Sequence, residues 1–327
     1  MPTMLWVSIV SFALAFAACR VLLARFGQFA LDRPNARSLH DRPVPRSGGI
    51  AVLLGASVAL ALGASELWLP LSIALGLAAF SFLDDLLGTP TAARLLAHFT
   101  AAGGIAWYLL SPMHPAELAA LILAVVWITN LYNFMDGADG MAGGMALIGF
   151  GAYAAAAWVA GHGALAVAGI AVAAASGAFL LHNFHPAKLF LGDVGSIPLG
   201  FLAAALGLQG WRDDVWPLWF PVLVFGPFIG DATLTLVRRV ARRERVWQAH
   251  RDHYYQRMVR MGLGHRGTAW LAYLAMLVCA GCALYGRLQP VAGQATVFAA
   301  ASALLAGMAV WVDLRWSRFV RAAEKNP

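Results

Sequence analysis

"AALILAVVWITNLYNFMDGADGMAGGMALIGFGAYAAAAWV", Ala119–Val159, sets two nearly unbroken apolar runs around a short insert of asparagine, aspartate and glycine. About 20 mainly apolar residues is the length at which a helix crosses the hydrocarbon layer. Two such runs back to back read as a membrane helical hairpin, with the insert as its turn. The pattern recurs along the chain, with runs near 3–23, 48–64, 67–83, 95–111, 116–132, 142–160, 163–182, 195–211, 215–237, 268–287 and 292–313. Of the 327 residues, 61% are hydrophobic and only 12% charged. Soluble domains carry about twice that share of charge. The expected fold is therefore all-α: a polytopic transmembrane bundle of ten or eleven spanning helices, with 1–327 as one domain. No internal repeat, low-complexity segment or linker divides it. The opening "MPTMLWVSIVSFALAFAACR" has an apolar core and a cysteine in a small-residue setting, but no basic n-region. It is read as the first spanning helix rather than a processed signal.

Working outward from the insert, the charges sort by side. Threading eleven helices puts segments 24–47, 84–94, 133–141, 183–194, 238–267 and the tail after 313 on one face. Those segments and the adjoining helix ends hold 21 of the 23 basic residues, leaving only Arg212 and Arg287 opposite. Basic loops mark the cytoplasmic side. The expected orientation has the N-terminus outside and the C-terminus in the cytoplasm. Asp84, Asp85, Asp136, Asp139 and Asp193 collect on the same face, with His182, His185, His250 and His253. The opposite connectors are short.

Each polar cluster has a plain reading beside a chemical one. "FSFLDDLLGTP" ends a span with Asp84 and Asp85, and Gly88 and Pro90 are ordinary helix breakers. Adjacent helical residues point about 100° apart, so the two acids are expected to meet different partners. "NLYNFMDGADG" spaces Asn130, Asn133, Asp136 and Asp139 three apart, which keeps them near one face of a helix end. Gly137 and Gly140 would let backbone approach a ligand. "HPAKLFLGDVGSIPLG" brings Lys188 and Asp193 into a short loop, and a glycine-flanked carboxylate suits a hard divalent ion. Lys188 reads equally as a positive-side anchor.

"RRVARRERVWQAHRDHYYQRMVRMGLGHR" is dense in arginine around His250, Arg251 and His253. It would attract acidic headgroups, anchor topology or clamp phosphates. Zinc is disfavoured because cysteine ligands are absent, and nucleic acid because nothing supplies base stacking. A second basic loop, "LDRPNARSLHDRPVPRSGGIAV", offers Arg42 and Arg46 for phosphate. Asp231 lies about two turns inside a span, where a carboxylate is a functional or pairing candidate. Cys279 and Cys282 form C-x-x-C on an apolar helix and are read as packing residues.

"FLDDLLG", "NLYNFMDGADG", "PAKLFLGDVGSIPLG" and "HRDHYYQR", in this order, resemble the polyprenyl-phosphate N-acetylhexosamine-1-phosphate transferases, glycosyltransferase family 4. The resemblance spans about Asp32 to Gly267. It implies transfer of a sugar 1-phosphate from a UDP-N-acetylhexosamine donor to undecaprenyl phosphate, releasing UMP, with Mg²⁺ (or Mn²⁺) as cofactor. It also implies a multi-pass enzyme of the bacterial inner membrane, working in the bilayer on the cytoplasmic face, with no nucleic acid partner; a homodimer is left open. Asp84 and Asp85 match the family's paired aspartates, Asp193 its magnesium ligand and Asn133 the neighbouring motif asparagine. Asp136 and Asp139 match residues around uridine and pyrophosphate, and His250 and His253 the histidine-loop contacts. The catalytic set expected is Asp84, Asp85, Asp193 and His253. Arg42, Arg46, Asn130, Asn133, Asp136, Asp139, Lys188, Asp231, His250 and Arg251 are expected to bind substrate, and Asp193 and Asn133 to hold the metal. The loop "HRDHYYQR" is similar to the O-antigen initiator branch, which leaves GlcNAc, FucNAc and QuiNAc as candidate sugars.

The rival reading is a secondary transporter, whose broken helices and buried acids serve an ion path. Transporters place that site near the midplane between repeated halves. Here the acids gather at one face and no repeat is seen.

Overall fold

The computed structural model describes residues 2–28, 30–34, 38–245, 248 and 250–325; Arg37, one of the basic residues assigned above, lies outside them. Helices account for nearly everything described. In chain order they are α1 (Pro2–Phe26), α2 (Gly48–Ala56), α3 (Val58–Leu62), α4 (Trp68–Leu87), α5 (Thr91–Leu110), α6 (Pro115–Phe134) and α7 (Met141–Val159). Then come α8 (Gly163–Asn183), α9 (Asp193–Arg212), α10 (Trp219–Val224), α11 (Gly226–Ala241), α12 (Tyr254–Met258), α13 (Gly264–Gly286) and α14 (Val291–Lys325). In lipid a helix is the segment that satisfies its own backbone, so apolar runs leave no other choice.

All eleven apolar runs are helical. Among the described residues, eight helices are long and apolar enough by themselves to cross a membrane. The other three runs are α5 and the broken pairs α2–α3 and α10–α11. At the first break the Ser57 hydroxyl donates back to Leu53 O at 2.8 Å, a bond that bends helices. At the second, Pro227 has no N–H to continue the preceding turn and starts α11 instead.

α9 is enclosed along almost its whole length, packed by α4 and α6, while α1 and α14 are largely exposed. The closest crossing is Gly49 on α2 against Gly195 on α9, where a Cβ on Gly49 would lie 2.3 Å from the Gly195 nitrogen. Small residues allow this approach in a bundle that has no hydrophobic drive between helices.

The connectors divide between two ends. Thr3, Gly63, Glu66 and His162 share a groove at one end, where Arg287 also donates to Val215 O at 3.2 Å. The turns carrying the aspartates meet at the other. Two details differ from expectation. The 84–94 segment is mostly helix, with only residues 88–90 between α4 and α5, so Asp84, Asp85 and Arg94 stand on helices. A two-residue antiparallel pair, β1 (Leu31–Asp32) with β2 (Val44–Pro45), closes the first basic loop.

Candidate active site

At the aspartate-bearing end is a polar cavity of about 310 Å³, lined by Arg46, Asn133, Asp136, Asp139 and Asp193 among others. Five residues separated by up to 147 positions share one space. Three sets of hydrogen bonds bring them there. Gly48 and Gly49 donate to Phe190 O and Leu191 O, both at 2.9 Å, and Phe190 donates to Pro45 O at 2.8 Å. This strand-like clasp sets Arg46 beside the turn that starts α9. The Ser196 hydroxyl, one turn into α9, donates to Asn133 Oδ1 at 2.9 Å and locks the end of α6 to α9. Gly140 N–H donates to Asn183 Oδ1 at 3.0 Å, tying the start of α7 to the end of α8.

The two adjacent acids diverge, as their helical spacing predicts. Asp84 is buried and accepts from the Thr89 backbone N–H at 2.8 Å and from the Thr89 hydroxyl. Its other oxygen takes Arg94 Nε at 2.7 Å. Asp85 faces Arg46 Nη2 at 3.1 Å.

Burial pushes the Asp136 carboxyl well above the usual carboxylate range. The like charge of Asp193 adds to this, and the Gly192 N–H that donates to Asp136 opposes it. The side chain of Asn133 also reaches Asp193. Crowded carboxylates of this kind are relieved by a cation, which displaces the proton. Asp136 and Asp193 offer oxygen alone, and Asn133 Oδ1 keeps a second lone pair beside the Ser196 hydroxyl, a set that suits a hard divalent ion such as Mg²⁺ and not a soft one. Asp193, Asn133 and Asp136 are the residues that fit it.

Asp139 lines the same cavity but belongs to a separate network. Its Oδ2 accepts from Ala187 N–H at 3.1 Å and lies 2.7 Å from His185 Nδ1. Its N–H donates to His265 Nδ1 at 3.2 Å, and His265 Nε2 donates to Leu39 O at 2.9 Å. One ligand atom from each of Asp139, His185 and His265 lies within 4.8 Å of the others, a group that could hold a metal. Both His265 nitrogens are already engaged, however, so the group reads as a hydrogen-bonded tie between three loops.

Asp231 is occupied by protein. Its Oδ1 accepts from Tyr254 N–H and its Oδ2 from Tyr255 N–H, each at 2.9 Å, and His253 Nδ1 lies 3.2 Å from Oδ1. The carboxylate caps α12 and orients His253. Losing a cap costs about 0.5–2 kcal/mol. Asp231→Ala is therefore expected to speed amide exchange across 254–258 and cut activity about tenfold. Exchange mass spectrometry with an activity assay checks this, and unchanged protection would remove the capping role.

Other candidates stand outside the cavity. Asn130 donates to Val126 O at 2.7 Å, within its own helix. Arg42 and Lys188 are exposed, and Arg251 is half-buried. The His250 ring lies 4.9 Å from that of His253. Burial, then His253 and Arg239, lower its pKa to about 4. Arg239 does not clamp an external phosphate. It is buried and holds Asp252 Oδ2 at 2.6 Å and Glu244 at 3.0 Å. Gly137 lines the cavity, and a Cβ there would meet the Tyr255 hydroxyl at 2.1 Å; a Cβ on Gly140 would meet the Tyr273 hydroxyl at 2.6 Å, so Gly140 is packed by protein.

Residues not picked out as site candidates from sequence include Arg94, Thr89, Ser196, Gln256 and His265. Arg94 carried the one usable signal, a lone charge in the first turn after the paired acids.

Residues 67–211 match glycosyl transferase family 4. The chain is 30% identical over 264 residues to the probable undecaprenyl-phosphate N-acetylglucosaminyl 1-phosphate transferase of Bacillus subtilis, covering 75% of this chain and 74% of the relative. It is 31% identical over 308 residues to the decaprenyl-phosphate N-acetylglucosaminephosphotransferase of Mycobacterium tuberculosis, covering 78% and 74%. Identity to the phospho-N-acetylmuramoyl-pentapeptide-transferase of Shouchella clausii is 29% over 242 residues, covering 63% and 74%. These similarities bear out the resemblance carried by the four motifs.

Proposed function

We propose that this chain, which belongs to glycosyl transferase family 4, transfers an N-acetylated amino sugar 1-phosphate from a UDP-sugar to undecaprenyl phosphate. UMP leaves, and the product starts a lipid-linked surface glycan such as O-antigen. The setting is the bacterial inner membrane, with the cavity facing the cytoplasm. The observation that carries this reading is the meeting of Arg46, Asn133, Asp136 and Asp193 in one polar cavity at the end of a membrane bundle. The names of the relatives support a polyprenyl-phosphate acceptor and an N-acetylglucosamine 1-phosphate as the group transferred.

The lipid-phosphate oxygen attacks the sugar-bound phosphorus of the donor. The bond from that phosphorus to the bridging oxygen breaks, and UMP departs with the oxygen. Both reactants are anionic, so their approach must be offset electrostatically. Arg46 and Arg94 flank the path, each held by one member of the acid pair, Asp85 and Asp84. A phosphate monoester is largely ionised at pH 7, with a second pKa near ~6. Asp84 therefore need not remove a proton, and its bonds to Thr89 and Arg94 suit it to positioning. Asp193, Asn133 and Asp136 would hold Mg²⁺, which supplies Lewis-acid stabilisation of the diphosphate when bound.

Proteoliposomes containing the purified protein, undecaprenyl phosphate and Mg²⁺ test this with a panel of labelled UDP-sugars, UDP-GlcNAc first. The expected result is a butanol-extractable lipid product with one UMP per product. Solute accumulating inside the vesicles without lipid product would favour the transporter instead.

A further inference from the structure

The last helix, α14, is mostly exposed, yet it carries an acid, Asp313, on a span. An acid there is costly unless paired. Asp313 Oδ1 takes Arg238 Nη1 from α11 at 2.6 Å and Arg257 Nη1 from α12 at 3.1 Å. Its Oδ2 accepts from the Tyr254 hydroxyl at 3.4 Å. Both guanidinium groups also lie over the Tyr254 ring, 5.2 and 5.4 Å from its centroid. Arg257 is buried, so its charge has little water to fall back on. One carboxylate thus bridges two cations that would otherwise repel each other across the same ring.

What this cluster holds is α12. α12 continues into a π-helical turn, Val259–Leu263, whose Met261 and Gly262 leave helical dihedrals. It is therefore a short helical end, set off by a kink from α13, and does not persist on its own hydrogen bonds. Asp231 caps its start, and Asp313 grips its first and fourth residues from the far side. The residues between face the reaction. The Tyr255 hydroxyl donates to Phe134 O at 3.1 Å and fills the space over Gly137, next to Asp136. Gln256 lines the cavity and accepts the His253 N–H at 3.2 Å.

We propose that Asp313 is a positioning residue for the donor side of the site: an ionic latch from α14 that seats α12 against the Asp136 turn. This rests on the transferase reading above. The Asp84–Arg94 pair stands on α4 and α5, which make no substantial packing contact with α12 or α14 among the described residues. With the donor at the Asp136 turn and the lipid phosphate at the Asp84–Arg94 pair, as the transferase reading has them, loss of the latch should be felt by the nucleotide sugar and not by the lipid phosphate.

The test compares wild type, Asp313→Asn, Asp313→Glu and Arg238→Met in proteoliposomes with UDP-GlcNAc (or whichever donor the wild type uses) and undecaprenyl phosphate. Turnover by wild type tests the transferase reading alone. Amide exchange at 254–258 without substrate tests the latch alone. Asp313→Asn is expected to speed that exchange and to raise the donor KM about tenfold, with the acceptor KM within about twofold. Asp313→Glu should recover most of the donor KM. Unchanged exchange, an unchanged donor KM, or donor and acceptor KM rising together would overturn the proposal. If Asp313→Asn does not fold, Arg238→Met leaves Arg257 on the acid and should show the same split more weakly; no split there overturns it equally.

Discussion

Replacing Asp193 by asparagine is expected to lower turnover about a thousandfold while leaving the bundle folded. The loss has a size because of what the carboxylate does. In the proposed reaction it carries the cation that offsets charge on the diphosphate, and a thousandfold in rate is about 4 kcal/mol of transition-state stabilisation. The fold should tolerate the change for two reasons. Asparagine is nearly isosteric, and Asp193 opens α9, where removing an acid costs only about 0.3–1 kcal/mol of helix-dipole energy. Against that stands a gain, since Asp193 is one of the charges that hold the Asp136 carboxyl above its usual range.

The sharpest readout is therefore thermal rather than kinetic. Mg²⁺ should raise the melting temperature of wild type by mass action on the folded state. In Asp193→Asn the metal-free melting temperature should stay near wild type and the Mg²⁺ increment should vanish. An Asp193→Asn protein that keeps full turnover, or keeps the increment, would take the metal role away from this residue.

The parts of this site that could be read in advance are those where chemistry and chain position coincide. Asp136 and Asp193 sit at helix ends next to glycines, where a bilayer protein has no cheap reason to place acids, and Asn133 stands one turn before Asp136. The helical runs were legible because lipid leaves an apolar segment no other way to satisfy its backbone. Asn130 shows where periodicity misleads. Three residues before Asn133 is nearly the same helix face but about 4.5 Å deeper, and there the amide bonds to its own helix. Asp231 was legible in part. Its depth signalled a partner, and the arginine-rich loop supplies one in His253, but the two backbone N–H groups 23 and 24 residues on are announced by no side-chain pattern. The Asp139–His265 contact joins residues 126 apart, and only the fold brings them together. In the arginine-rich segment Arg238, Arg239 and Arg257 are paired internally, and sequence does not distinguish such a charge from one left open to a phosphate.

Gly192→Ala is the second large effect, and it tests the architecture instead of the chemistry. Gly192 has φ 70° and ψ 171°, a region open essentially to glycine alone. Forcing a side chain into it costs about 1–3 kcal/mol before any contact is counted. The contact is severe as well: a Cβ would lie 2.5 Å from Arg46 O, a backbone atom that cannot swing aside. Relief requires the 45–49 segment to part from 190–191, and that clasp is what sets Arg46 against Asp85. The Gly192 N–H also donates to Asp136, so the same shift disturbs the cation-holding group. One methyl group thus acts on three separate segments of the site. The expected outcome is a melting temperature lowered by several degrees together with activity down at least about a hundredfold, a joint loss that Asp193→Asn should not show. Measuring both proteins side by side separates the two ideas. If Gly192→Ala keeps wild-type stability and rate, the clasp between the first basic loop and the start of α9 does not position the site.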